Sequence, residues 1–392
     1  MMPTSLGFGV LGPLQMTVDG TPVALGTPKQ RAVLAMLVIN RNRPVGIESL
    51  ITAAWEQWPP AEARASLHSY VSNLRRLLSK NGIDPRSVLV SAPPGYRLNL
   101  AETACDIGRF IAEKNAGVQA AAAGRFGSAS RHLTAALAEW RGPVLDDLRD
   151  MQFVDPFAAA LVEDKVLVHT ALAEAEIVCG RAYAVIGELE ALTVEHSYRE
   201  PLWAQLITAY YLAERQSDAL DAYRRLKDTL AEDLGIDPGP TLQALHARIL
   251  RQEPLDIKSS AKATAARTIV GIDQRTAAGA EHAVGCLREK SGAIHPLIAA
   301  ATRIGRQSDN DIVLDDAGVS RHHAVIIDTG TSFVVTDMKS ANGVFIGDQR
   351  LRGSATINHG DRIRICDYDF TFGVHPPGGH STSSRESPTI PR

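Results

Sequence analysis

The chain has 392 residues, 45% hydrophobic and 22% charged, with a net charge of −3. That is room for two or three domains of ordinary globular composition, and no stretch approaches the about 20 apolar residues of a membrane helix. The four cysteines, Cys105, Cys179, Cys286 and Cys366, lie too far apart for a disulfide framework or a zinc cluster and suit a reducing cytoplasm.

The opening MMPTSLGFGVLGPL has neither a basic start nor a long apolar run, so no signal peptide is expected. Charge is unevenly spread. Residues 1–100 hold ten Lys/Arg against five Asp/Glu, a balance of +5; residues 101–252 hold fifteen against twenty-three, or −8; the remainder holds sixteen against sixteen. A basic head on an acidic middle assigns any polyanion to the N-terminal part.

The first hundred residues open with short β-like runs in FGVLGPLQMTVDGTPVAL, turned at Asp19-Gly20. A helix follows, with Thr27 as N-cap, Pro28 at its first position and an apolar stripe of Val33, Leu34, Leu37 and Val38. GIESLITAAWEQW gives a second helix, stopped by Pro59-Pro60. ARASLHSYVSNLRRLLSK gives a third, with Leu67, Val71, Leu74 and Leu78 on one face. Its other face carries Ser66, Ser69, Ser72, Asn73, Arg76 and Lys80, flanked by Arg75. SVLVSAPPGYRLNL closes the segment as two strands around a Pro-Pro-Gly turn.

Sheet, three helices and a terminal hairpin outline a winged helix over residues 1–100. Ser69, Ser72, Asn73, Arg75, Arg76 and Lys80 on the third helix can meet base edges and phosphates in a major groove. Arg97 on the hairpin can reach flanking backbone. A basic helix taken singly is more often a solvated face; the helix order, the hairpin and the +5 balance together favour DNA. Through LGPLQMTVDGTPVALGTPKQRAVLAMLVINRNRPV, SLHSYVSNLRRLL and PPGYRLNL, residues 6–100 resemble the OmpR-type winged helix of the SARP family of actinobacterial transcription activators. The resemblance implies promoter binding by the third helix and contact with RNA polymerase through the loop Trp58–Glu62.

Residues 101–252 are Ala- and Leu-rich and helical in period. Trp203, Leu206, Tyr210, Ala219 and Tyr223 match the tetratricopeptide spacing, with Tyr for the final Phe and Ile207 for the usual Gly. A shift of 34 residues sets Leu172, Leu189 and Leu192 under Leu206, Tyr223 and Leu226; Ala129, Leu133 and Ala136 belong to an earlier unit. Helix pairs of this kind share one core. They form either a protein-binding surface or a spacer, and the aromatics read as core. Asp146-Asp147 reads as a charged helix end. The segment, including DLGIDPGPTLQALHARIL, resembles the bacterial transcriptional activation domain of SARP proteins.

Residues 253–280 show little periodicity and read as a linker, with Thr264, Thr268 and Thr276 as candidate kinase targets. From 281 to 376 many short β runs point to a sandwich. Arg306, Ser320-Arg321 and Asn342-Gly343 fall in its turns. A phosphate wants a guanidinium, a small hydroxyl and further N–H donors, and rigid strands can aim such groups from their loops. Gly305-Arg306, Ser320-x-x-His323 and Asn342-Gly343, in that order, resemble the forkhead-associated (FHA) domain, a phosphothreonine reader. The resemblance implies that Arg306, Ser320 and Arg321 hold the phosphate and that Asn342 holds the peptide main chain. His323 would brace the loop, with Gly305 and Gly343 structural. Residues 377–392 read as a flexible tail.

The expected fold is therefore multidomain α+β: an OmpR-type winged helix, an all-α TPR-like activation domain and an all-β FHA sandwich. The combination resembles FHA-bearing SARP regulators, which implies control of cell-wall arabinosyltransferase genes and response to a phosphorylated Ser/Thr protein kinase. The sequence contains no GxxxxGK, HExxH or GxSxG motif and no GxGxxG after a strand, so no catalytic residue, metal or cofactor is expected. A phosphopeptide-dependent adaptor that leaves DNA alone is the other reading.

Overall fold

A computed structural model describes residues 5–56, 58–276, 284–297, 301–308, 310–328, 333–351 and 353–375. The chain divides into two compact units, Met1–Val270 and Gly271–Arg392.

The first unit begins with an antiparallel sheet, β1 (Leu6–Gly9), β2 (Gln15–Val18) and β3 (Thr21–Pro22). The β2–β3 turn uses Asp19 at φ 49° and Gly20 at φ 78°, as the Asp-Gly pair foretells. Helix α1 (Pro28–Ile39) starts where Thr27 accepts the Gln30 amide hydrogen bond and Pro28 pre-sets the first turn. Its Val33, Leu34, Leu37 and Val38 are buried. After β4 (Val45–Gly46) come α2 (Ile47–Trp55), α3 (Ala63–Lys80), the short α4 (Pro85–Val88), β5 (Leu89–Ala92) and β6 (Gly95–Leu98). The last two form the wing, and β4 pairs with β6. Leu67, Val71, Leu74 and Leu78 of α3 face inward, so its polar residues face out.

Antiparallel helices follow: α5 (Asp106–Ala122), α6 (Phe126–Ala138), α7 (Val154–Val178), α8 (Ala182–Glu195), α9 (Glu200–Leu212), α10 (Gln216–Leu234) and α11 (Pro240–Leu250). Trp203, Leu206, Tyr210, Ala219, Tyr223 and Leu189 share one core, as the repeat spacing requires. Ile207, in the place of the usual Gly, is fully buried there.

Two features depart from the sequence reading. Within the segment read as a linker, where little periodicity is visible, Ile257–Thr276 form helix α12. Ala261 and Ala265 are buried, one turn apart, and Ile257 packs on the repeat core. A stripe of one Ile and two Ala is too slight to register as a period. Beneath it, burial pushes the Glu174 carboxyl up to about 7, beside Arg267, Gln205 and Thr264. The second departure is Asp147, which does more than end a helix. It accepts the Leu14 amide at 2.7 Å and pairs with Arg31 at 3.3 Å, tying the helical region to the winged helix.

The main joint between those regions is Asp106. Its carboxylate is 2% exposed. It accepts the Val10 amide at 2.8 Å, that of Leu11 at 2.9 Å and that of Ile107 at 2.8 Å, with the Arg141 guanidinium at 3.3 Å.

The second unit is a sandwich. One sheet has β10 (Ile312–Val313), β9 (Ala301–Gly305), β11 (Ala324–Asp328), β12 (Phe333–Asp337) and β15 (Ser354–Ile357), in that order. The other runs β14 (Gln349–Arg350), β13 (Val344–Ile346), β16 (Arg362–Ile365), β17 (Tyr368–His375), β7 (Val284–Glu289) and β8 (Ile294–Leu297). Ile304, Ile326, Val335, Val344, Ile363, Phe370 and Phe372 fill the space between them. The tail expected at 377–392 lies outside the described residues.

Asp106→Ala should lower the unfolding free energy by about 3–5 kcal/mol, because it strands buried N–H groups and a guanidinium. Urea denaturation of the full chain measures this.

Candidate phosphopeptide and nucleic-acid sites

The sandwich brings its three loop motifs together through backbone bonds. The Arg306 amide donates to Ser320 O at 3.1 Å, and the Gln307 amide to Arg321 O at 3.3 Å. The loop after β9 therefore lies on the loop before β11. His323 is fully buried at their junction. Its Nδ1 accepts the Ser320 amide at 3.0 Å and its Nε2 lies 3.1 Å from Gly343 O. Accepting at Nδ1 puts the proton on Nε2, which donates to that carbonyl. One imidazole thus ties the Ser320 loop to the Asn342 loop without touching the open side.

Ser320 Oγ accepts the Ala341 amide at 3.1 Å, which leaves its own hydroxyl hydrogen to give to a ligand. Arg306 and Arg321 are exposed beside it. Asn342 is exposed, its amide nitrogen 2.8 Å from Gly318 O. Gly343 sits at φ 78°, where a side chain is strained, and a Cβ on Gly305 would collide with Arg321 O. The backbone bonds and the Ser320–Ala341 contact bring the Arg306, Ser320-Arg321 and Asn342-Gly343 loops side by side at one end of the sandwich.

Sequence reasoning missed three contributors. Asn310, 7% exposed, donates through Nδ2 to both Gln307 O and Arg321 O at 2.8 Å and so supports the arginine loops. Ser340 Oγ accepts the Gly343 amide at 3.0 Å. Lys339 is exposed at φ 56° in the same loop. The polar turn residues of QSDND and MKSAN were the available signal. Among the described residues no three His, Cys, Asp or Glu side chains gather as a metal site. No described helix is long and apolar enough to cross a membrane.

On the winged helix, Ser69, Ser72, Arg76 and Lys80 are exposed along one face of α3. The three other expected contacts, Arg75, Asn73 and Arg97, are not on that open face. Arg75 does not project outward. Its Nε and Nη2 donate to Leu89 O at 3.0 and 2.9 Å, Nη2 also to Ser91 Oγ at 3.1 Å, and it lies over the Tyr96 ring. It is a brace between recognition helix and wing. His68 adds a second tie, its Nδ1 2.7 Å from the Tyr96 hydroxyl. Asn73 is half-buried, donating to Gln30 Oε1 at 3.3 Å and accepting from Arg76. Arg97 is also half-buried, on the hairpin strand β6, its Nε enclosed without a hydrogen-bond partner among the described residues. In the loop before α3, Trp58 is 85% exposed.

A winged helix with an open polar helix face, a repeat-type helical middle and a loop-built anion site on a sandwich define a transcriptional regulator of the SARP type carrying an FHA module. Residues 20–98 match the family "Transcriptional regulatory protein, C terminal", 105–250 the bacterial transcriptional activator domain and 302–366 the FHA domain. The chain is 71% identical over 370 residues to the transcriptional regulatory protein EmbR of Mycobacterium tuberculosis, covering 94% of this chain and 95% of that one. It is 56% identical over 250 residues to the transcriptional regulatory protein MoaR1 of the same species, covering 64% of this chain and 80% of that one. The solved structure of M. tuberculosis EmbR in complex with a low-affinity phosphopeptide superposes with a TM-score of 0.93 at 70% identity, over 95% of this chain and 98% of that one. The chain belongs to the EmbR family of transcriptional regulators.

Arg306→Ala and Ser320→Ala should each weaken phosphothreonine-peptide binding by about ten- to a hundredfold. His323→Ala should act through the fold and lower the melting temperature of the sandwich. Calorimetric titration and thermal melts of the same variants separate the two.

Arg76→Ala should lower the slope of log affinity for duplex DNA against log salt by about one, as loss of a phosphate contact does. Arg75→Ala should leave that slope unchanged and instead lower the melting temperature. Fluorescence anisotropy across a salt series reads the first, and thermal melts the second.

Proposed function

We propose that this regulator binds promoter DNA through the open face of α3 and reads a phosphothreonine on a Ser/Thr protein kinase through the FHA loops. The observation that carries the second half is the adjacency of the loops bearing exposed Arg306, Arg321 and Asn342, with the Ser320 hydroxyl hydrogen left to give between them. The solved relative, EmbR with a phosphopeptide, supports the same assignment at 70% identity. For the first half, the support is the row Ser69, Ser72, Arg76 and Lys80, with the wing held against it by Arg75 and His68. The exposed Trp58 and the loop to Glu62 fit a contact with RNA polymerase. Family membership supports cytoplasmic residence and control of cell-wall arabinosyltransferase genes. It also supports the absence of catalysis.

The test uses the full chain. Duplex DNA from upstream of the arabinosyltransferase genes should bind with an affinity that falls steeply with salt. A peptide supplied as phosphothreonine, phosphoserine and unphosphorylated forms should bind in that descending order. Peptide selectivity without a DNA shift at any salt would leave the adaptor reading standing. Equal affinity for phosphorylated and plain peptide would remove the phosphate role of Arg306 and Ser320.

A further inference from the structure

The loop that presents Asn342 touches a fourth loop, which the FHA motif does not include. Strands β16 and β17 are joined by a two-residue turn, Cys366 and Asp367, with Ile365 paired to Tyr368. Cys366 stands at φ 51°. Such hairpin turns favour Asn and Gly, because a side chain in the left-handed region is strained. A cysteine held there invites the question of what its side chain does.

Its thiol donates to Gly318 O at 3.2 Å, the same carbonyl that accepts the Asn342 amide at 2.8 Å. One oxygen with two lone pairs thus takes both donors. The sulfur also lies 3.8 Å from the Asn342 nitrogen, as a weak acceptor for its second hydrogen. Gly318 is itself fixed, its amide donating to Asp316 Oδ1 at 2.6 Å. Burial pushes the Cys366 thiol up, against the lowering effect of the Asn342 hydrogen bond and with the charges of Asp316 and Asp367 adding to the rise, so the sulfur keeps its proton and remains a donor. The group acts here through hydrogen bonds and not as a nucleophile.

We infer that Cys366 is a positioning residue for peptide recognition: with Gly318 O it holds the Asn342 amide so that the side-chain oxygen meets a peptide N–H. The thiol occupies the second amide hydrogen only weakly. A peptide carbonyl, a far better acceptor, displaces it at little cost. With that place empty, the amide would be free to rotate. This inference rests on the assignment of Asn342 to the peptide main chain.

The discriminating variant is Cys366→Gly in the full chain. Glycine relieves the left-handed backbone, so the sandwich should melt at the same temperature or higher. Its affinity for a phosphothreonine peptide selected from a degenerate library should nevertheless fall about three- to tenfold, the worth of one neutral hydrogen bond. Cys366→Ser keeps a donor for Gly318 O and should recover most of that loss. In an Asn342→Ala background, Cys366→Gly should change affinity less than about twofold, because the group it positions is gone.

Unaltered affinity in Cys366→Gly overturns the inference, as does an equal loss in both backgrounds. An Asn342→Ala chain that binds the phosphopeptide as tightly as the wild type removes the assignment beneath it, and the inference with it. A chain that does not distinguish phosphorylated from plain peptide fails one step earlier, and that failure is visible before any variant is made.

Discussion

A carboxylate taken out of water is costly unless its oxygens are fully occupied, and the N-terminal architecture is organised around one such group. Asp106 begins α5, where helix-end amides favour a negative charge. It also takes the amides of Val10 and Leu11 from the loop between β1 and β2, and the Arg141 side chain closes the shell. Phe8 and Cys105 form a short parallel bridge beside it, and Asp147 repeats the pattern at lower burial with Leu14 and Arg31. The sheet of the winged helix is consequently built onto the helical region. The direction in which α3 presents its open face is inherited from that seam.

The sandwich uses a different economy. Its strands are pinned by a dry core, so its loops need only a few internal bonds to hold their shape. His323 is the chief of these. A buried imidazole with one acceptor and one donor engaged has no free polar atom, and both partners are main-chain atoms of ligand-facing loops. Asn310 repeats this beneath the arginines, and Cys366 beneath Asn342. Ser320 keeps its hydroxyl hydrogen to give, while the groups that hold the loops beneath it are engaged, which is the arrangement a charged ligand requires.

Much of this was legible in the sequence wherever the cause is local. Thr27-Pro28 and Asp19-Gly20 act within four residues. The stripe of Leu67, Val71, Leu74 and Leu78 needs only helical geometry. The phosphate loops announce themselves because glycine at positions 305 and 343 leaves little freedom for what surrounds it. What was not legible depends on partners far along the chain. Arg75 in a basic helix looks like a phosphate contact until the wing, fourteen residues on, offers it the Leu89 carbonyl. Asp147 looks like a helix end until Leu14 arrives from 133 positions away. The α12 segment lacks a visible stripe because Ala261 and Ala265 carry little apolar area of their own.

The Asp106 seam bears on how such a regulator can be taken apart. A crossover drawn near residue 100, where the winged helix ends by sequence, would separate Val10 and Leu11 from Asp106 and Leu14 from Asp147. A chimera that borrowed only the first hundred residues would carry a sheet edge shaped for a carboxylate it had left behind. The natural cut for grafting this DNA-reading head onto another body lies past Leu148, after the second of the two acidic ties, so the first helical hairpin travels with the head.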